Sequence, residues 1–228
     1  MNFSQKRKAI PLLLFWCFLS VASASPPTCP TYDWPSQVSK IETFEIKFRF
    51  KVLTQEMEKF SKNVGECYNR EPVGGAEKLW AKSARLKKLK KINKAHTVEK
   101  FCAEVRKNLI EDKLSNYSSV KSPFVQYANC QEGSMVGACL AYQFGYSPNE
   151  IMMCKSNHDH EWSLVPEPGK AGSFCLLDRW NSVRCGVKLS GRHWMGAWTG
   201  DVIVPGEKIF QFTNAICYNL TTRMYSQL

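Results

Sequence analysis

Residues 130–144 read CQEGSMVGACLAYQF. Met135, Ala138, Cys139, Ala141, Tyr142 and Phe144 recur mostly at intervals of three and four, the spacing of a helix. Gly145 follows as a C′ stop, because glycine enters the left-handed conformation without the steric cost of a side chain. A polar connector at 116–123 lies upstream, so Cys130 stands where connector becomes helix. A thiol there faces unpaired backbone N–H groups and the positive end of the helix dipole, which favour the thiolate. The same N–H groups can hold an oxyanion formed by attack on a carbonyl. The competing reading of Cys130 is a disulfide partner.

Downstream, short apolar segments at 149–154, 160–165, 173–180 and 202–212 read as strands. The second is ended by Pro166-Glu167-Pro168-Gly169. Upstream, Glu71-Pro72-Val73-Gly74-Gly75 is a break, and Ala76 to Ile110 reads as one or two basic helices. Ser39 to Phe60 is helix-like or mixed. Its middle, Ile41 to Phe50, partly alternates and allows a strand. Pro26, Pro27, Pro30 and Pro35 make an extended lead-in. A helical half followed by a helix and antiparallel strands predicts an α+β fold. The expected division is a signal peptide at 1–24, a basic, mainly helical region at 25–120, and a core at 121–228.

The signal-peptide expectation rests on Lys6, Arg7 and Lys8, then the apolar run Ile10 to Val21, then Ala22-Ser23-Ala24 as the cleavage pattern. The run is short for a bilayer span, so a secreted protein cleaved near Ala24 is expected. Loss of three basic residues takes the net charge from +11 to +8, which suits acidic or anionic partners. Cys17 leaves with the signal, and nine of the ten cysteines remain. An oxidising compartment then allows four disulfides and leaves at least one thiol. Helix-start placement points to Cys130 as that thiol.

A thiol nucleophile needs a base, and the base needs an orienting group. His160 opens one strand segment and Asp178 closes the next. If the two strands pair through the turn at 166–169, His160 and Asp178 meet at one end, where the carboxylate can fix the imidazole tautomer. The competing readings are a structural histidine and a turn carboxylate paired with Arg179.

Asn129-Cys130-Gln131-Glu132, then Asp159-His160-Glu161-Trp162, then Leu177-Asp178-Arg179-Trp180 together resemble the transglutaminase-like branch of papain-fold cysteine enzymes. The similarity is greatest to bacterial virulence-associated glutamine deamidases. Gln131 and Arg179 stand where that pattern carries Gly and Pro. The resemblance covers about residues 124–182. It implies a papain-like/transglutaminase-like α+β core, with the nucleophile helix packed on an antiparallel sheet and a helical part before it. It also implies a Cys130–His160–Asp178 triad that carries out acyl transfer on protein amides. Glutamine deamidation or transglutamination is the expected reaction, with proteolysis as the alternative. The oxyanion donors would be the Cys130 N–H and one upstream side chain, Gln126 or Asn129. This chemistry needs no cofactor and no metal. The alternative from another class is a catalytically silent secreted binding protein with a basic interaction face.

Other features compete for the same residues. Cys154, His158, Asp159 and His160 offer a metal-binding alternative, though no fourth ligand follows at familiar spacing. Lys78 to Lys94 is strongly basic, and Leu79, Leu86, Leu89 and Ile92, with Trp80, form an apolar stripe at helical spacing. The stripe suits core packing with a solvated basic face. The alternative is docking to an acidic protein or an anionic membrane surface. No nucleic-acid partner is expected, since no nucleic-acid motif is present. Asn116-Tyr117-Ser118 and Asn219-Leu220-Thr221 match the glycosylation tripeptide. Gly191 to Trp198 reads as an aromatic loop, either core or groove lining.

Overall fold

The expected helix stop at Gly145 is built as a Schellman closure. Gly145 has φ +85°, its N–H donates to the Tyr142 carbonyl at 3.0 Å, and the Tyr146 N–H donates to Ala141 at 3.1 Å. In this computed structural model, residues 32, 34–35, 46–68, 75–111, 130–156, 160–178, 182–194, 196–206 and 211–225 are described. The helices are α1 (Ile46–Tyr68), α2 (Gly75–Ile92), α3 (Val98–Val105, continuing into a π-helical stretch Arg106–Glu111), α4 (Cys130–Gln143) and α5 (Leu220–Tyr225). The strands are β1 (Met152–Lys155), β2 (Glu161–Pro166), β3 (Phe174–Asp178), β4 (Ser182–Trp194), β5 (Ala197–Ile203) and β6 (Gln211–Asn219).

All six strands are antiparallel to their neighbours, and β1 pairs with β6 as well as with β2, so the sheet closes into a barrel. The papain-like/transglutaminase-like core expected from the sequence is therefore not what the chain builds. The expectation failed where strand character is weakest. Gly186, Gly191, Arg184, Lys188 and Arg192 break the apolar pattern of β4, which nevertheless runs for 13 residues. The supposed aromatic loop Gly191–Trp198 is the β4–β5 hairpin, with Trp194 opposite Ala197. The segment 202–212, read as one strand, is the end of β5 and the start of β6, with Ile203 opposite Gln211. The possible strand at 41–50 is helical from Ile46 onward.

Alternation along β2 sorts its side chains into two cores. Trp162 and Leu164 join Leu176, Val187, Trp198 and Val202 inside the barrel. Val165 joins Cys175, Leu177 and the helices on the outside. Both faces of β2 and β3 are thus covered, which explains why these segments read as near-continuous apolar runs rather than alternating ones. The outer core holds Leu53 and Met57 of α1, Ile92 of α2, Phe101 of α3, and most of α4. α4 is buried nearly all round, from Gly133 to Ala141, which is why it shows little amphipathic pattern. Gly137 lets it approach closely: a Cβ there would lie 3.4 Å from Leu177 Cβ and 3.5 Å from Met57. On α2, Leu89 and Ile92 are buried but Leu86 is 53% exposed, so the expected apolar stripe does not extend through Leu86. The side chains of Leu79 and Trp80 lie outside the described residues, as do the expected signal peptide and Asn116. Asn219 is the cap of α5, its side-chain oxygen accepting from the Thr222 N–H at 2.7 Å.

Three disulfides tie the layers among the described residues. Cys102–Cys139 joins α3 to α4, Cys154–Cys217 crosses the β1–β6 seam, and Cys175–Cys185 links β3 to β4. They are compatible with an oxidising, extracellular compartment. No described helix is long and apolar enough to cross a membrane.

Gly191 and Gly200 face each other across β4 and β5. A Cβ on Gly200 would lie 2.3 Å from the Ser190 carbonyl oxygen and 2.6 Å from Gly191 Cα, at φ +151°. Gly169, at φ +79°, has open space instead. Gly169→Ala should therefore cost about 1–2 kcal/mol, the left-handed penalty alone. Gly200→Ala adds overpacking against backbone and should cost more than about 3 kcal/mol. Urea unfolding of the two variants measures the difference, and equal losses would refute the close-approach account.

Candidate active site

His160 sits one residue before β2, and Asp178 is the last residue of β3. The register pairs Ser163 with Leu177 and Leu164 with Leu176. Continued one step, it sets Asp178 opposite Trp162 and makes His160 its diagonal neighbour on the same face. His160 Nε2 lies 2.8 Å from Asp178 Oδ2, and Asp178 is 1% exposed. The strand pairing expected from the turn at 166–169 is present, and it brings these two residues together.

Cys130, the first residue of α4, is buried and is the free cysteine among the described residues. Its side chain hydrogen-bonds to His160. α4 is seated on β2 by the Ser163 hydroxyl, which donates to the Ser134 carbonyl at 2.6 Å. That bond fixes the helix start against the end of the strand that carries His160. Cys130, His160 and Asp178 therefore form one linked array. Gln126 and Asn129, the upstream oxyanion candidates, lie outside the described residues, as do His158, Asp159 and Arg179.

The imidazole is held in place and in charge. Its ring stacks near Phe212 at 5.5 Å and Trp162 at 5.7 Å, and those two stack on each other at 4.2 Å. Burial opposes its positive charge. The hydrogen bonds to Asp178 and Cys130, and the fields of both groups, outweigh burial and push His160 up to about 9. The aromatic faces beneath it also suit a cation.

A second ionic contact secures the first turn of α4. Glu132, 3% exposed, pairs with Arg85 of α2. Arg85 Nη2 donates to Glu132 Oε2 at 3.2 Å and to the Gln131 side-chain oxygen at 3.3 Å. Gln131, the residue that departs from the family pattern, is thus engaged with the basic helix. Sequence reasoning missed Arg85, Ser163 and the Phe212 contact. A buried glutamate in a helix calls for a cation, but nothing in the sequence singles Arg85 out from the other basic residues of α2. The metal alternative loses Cys154, whose sulfur is bonded to Cys217. Among the described residues no group of three potential ligands gathers.

No protein-family model, curated protein or solved structure matches the chain. The functional reading rests on the site itself.

Two predictions follow from this geometry. In Asp178→Asn, loss of the carboxylate should drop the His160 pKa from about 9 toward its ordinary 6.5, seen by NMR titration of the ring. A raised histidine pKa gives stability that is complete below about 6.5 and is lost as pH rises through about 9. Wild type should therefore lose more stability than the variant over that interval, and parallel pH profiles would refute the linkage. Arg85→Met should cost about 3 kcal/mol, because it strips a buried carboxylate of its cation. Adding Glu132→Leu should recover much of that loss, and a double-mutant cycle showing plain additivity would contradict the pairing.

Proposed function

We propose that this protein is a secreted thiol-dependent enzyme that acts on protein amides by acyl transfer, with the side-chain carboxamide of glutamine as the group attacked. One observation carries the reading. The described cysteine outside any disulfide is hydrogen-bonded to a histidine that a buried aspartate orients. Nucleophile, base and orienting group are then in mutual reach. The order and spacing of the three motifs, similar to those of glutamine deamidases, favour a carboxamide over a peptide bond. The closed barrel rules out borrowing more than the chemistry from that resemblance.

The steps follow from the charges. His160, held protonated, pairs with the Cys130 thiolate. The thiolate attacks the carboxamide carbon, and the oxyanion is stabilised by backbone N–H groups at the start of α4. The C–N bond breaks, His160 gives its proton to the departing ammonia, and a thioester to Cys130 remains. Water gives its proton to His160 and attacks the thioester carbonyl. The C–S bond breaks, leaving glutamate on the substrate and the thiolate on Cys130. An amine in place of water gives an isopeptide. Asp178 holds the ring through its hydrogen bond to Nε2.

Cys130→Ala should abolish ammonia release from glutamine-containing protein substrates, while iodoacetamide should modify wild type at that residue. Ammonia release should fall as pH rises through about 9, where His160 loses the proton the leaving group needs. Equal release by Cys130→Ala and wild type would sink the mechanism and leave a secreted binding protein.

A further inference from the structure

Between Glu77 and Glu99 the chain carries no acidic residue, while α2 and the turn after it are crowded with lysine and arginine. The fold divides this helix by face. Arg85 turns inward to Gln131 and Glu132, and Leu89 and Ile92 are buried in the core. Leu86, Lys87, Lys90 and Lys91 share the opposite, exposed arc, and exposed Lys94 continues it in the turn after Ile92.

Lys87, Lys90, Lys91 and Lys94 make no ion pair with any described residue. Ammonium groups gathered on one face without counter-charges raise a positive field that an acidic ligand relieves. The apolar side chains that a membrane-binding helix would sink into a bilayer, Leu89 and Ile92, are spent in the core. Among the described apolar side chains of α2, Leu86 alone is left outside. The spacing suits an extended peptide instead. Lys87 lies three and four residues from Lys90 and Lys91, about 5–6 Å between Cβ atoms. Alternate side chains of an extended chain share a face at about 7 Å. Carboxylates on alternate residues can therefore each meet an ammonium, with an apolar side chain of the same peptide resting on Leu86.

We propose that this face docks an extended acidic segment of the protein substrate, with aspartate or glutamate at alternate positions, away from the glutamine that meets Cys130. That the docked protein is the substrate rests on the proposed amide chemistry, but the docking can be tested without turnover. Arg85 pins the inward side of the same helix to the residues that follow Cys130, and a helix with its side chains is about 10–12 Å across. A substrate held on the lysines thus has one helix to cross to present its carboxamide. Exposed ammonium–carboxylate pairs are individually weak and screened by salt. Selection therefore comes from the number of carboxylates in the segment, and a lysine-rich segment is repelled.

The test uses the full chain carrying Cys130→Ala and two blocked peptides. Each has one glutamine, a serine spacer and a tail ending in leucine. One tail alternates glutamate with serine, and in the other every glutamate is alanine. Calorimetry at low salt should show the glutamate peptide binding at least about tenfold tighter, and the preference should shrink as salt is raised to about 1 M. Adding Lys87→Gln, Lys90→Gln, Lys91→Gln and Lys94→Gln together should remove the preference, with the fold retained by circular dichroism. Lys87→Gln with Lys91→Gln alone should weaken the glutamate peptide severalfold. Equal affinities, no binding, a preference indifferent to salt, or one kept by the fourfold variant would overturn the docking face. Sedimentation with vesicles of phosphatidylcholine and phosphatidylserine in equal parts tests the rival surface. Capture there without binding of the glutamate peptide would assign the lysines to a membrane and overturn the proposal. Ammonia release from the same peptides by unsubstituted protein decides the chemistry separately. Selective binding with no release removes the reaction and keeps the face as an acidic-peptide dock. Release from both peptides alike, with equal binding, removes the dock and keeps the reaction.

Discussion

β1 and β6 are the first and last strands of the sheet, and their pairing converts a sheet with two edges into a barrel with none. Cys154 and Cys217 stand opposite each other along that seam and are covalently joined. Closure has three consequences. It removes the unpaired N–H and C=O rows that an edge would offer to other chains. It creates an interior that Trp162, Trp198 and Phe212 fill. It also leaves the outer faces of β2 and β3 as the platform on which α4 settles. The histidine and aspartate sit at one end of the barrel, on the same face of their strands as Trp162, because adjacent antiparallel strands begin and finish together there.

The strand ends at His160 and Asp178 and the start of α4 carry a concentrated electrostatic load. Asp178 and Glu132 are both almost wholly buried, and ionised carboxylates in such places are costly without cations. Each has one. Asp178 faces His160 at the barrel end, and Glu132 faces Arg85 from the helical layer. One pair reaches Cys130 through His160, and the other holds Glu132, two residues further along α4. The N-terminal helices thus contribute to the site through Arg85, although Cys130, His160 and Asp178 all follow residue 129.

Some of this was legible in the sequence, for identifiable reasons. The start and stop of α4 were readable because Cys130 follows a polar connector and Gly145 takes the left-handed conformation that ends a helix. The meeting of His160 and Asp178 was readable because a proline-rich turn between two apolar segments fixes which ends coincide. Barrel closure was not readable. It depends on β4 to β6, where Gly191 and Gly200 supply close backbone approach rather than apolar alternation, and where one apolar stretch, 202–212, folds back on itself. A resemblance carried by three short motifs at the site said nothing about those strands, so it suggested the wrong core. Arg85 was hidden for a different reason: in a helix crowded with lysines, only the packed structure tells which cation turns inward.

The Cys102–Cys139 bridge has a consequence for the chain as a covalent object. Its two sulfurs straddle residue 130 in sequence and join α3 to α4 in space. A backbone cut at any single point between residues 111 and 130 would yield two polypeptides that still travel as one molecule. The smaller-numbered piece would keep Arg85, and the larger would keep the thiol, the imidazole and the carboxylate. Such a nicked species would run as a single band without reductant and as two bands with it. In this architecture, scission of the peptide chain and separation of the parts are distinct events.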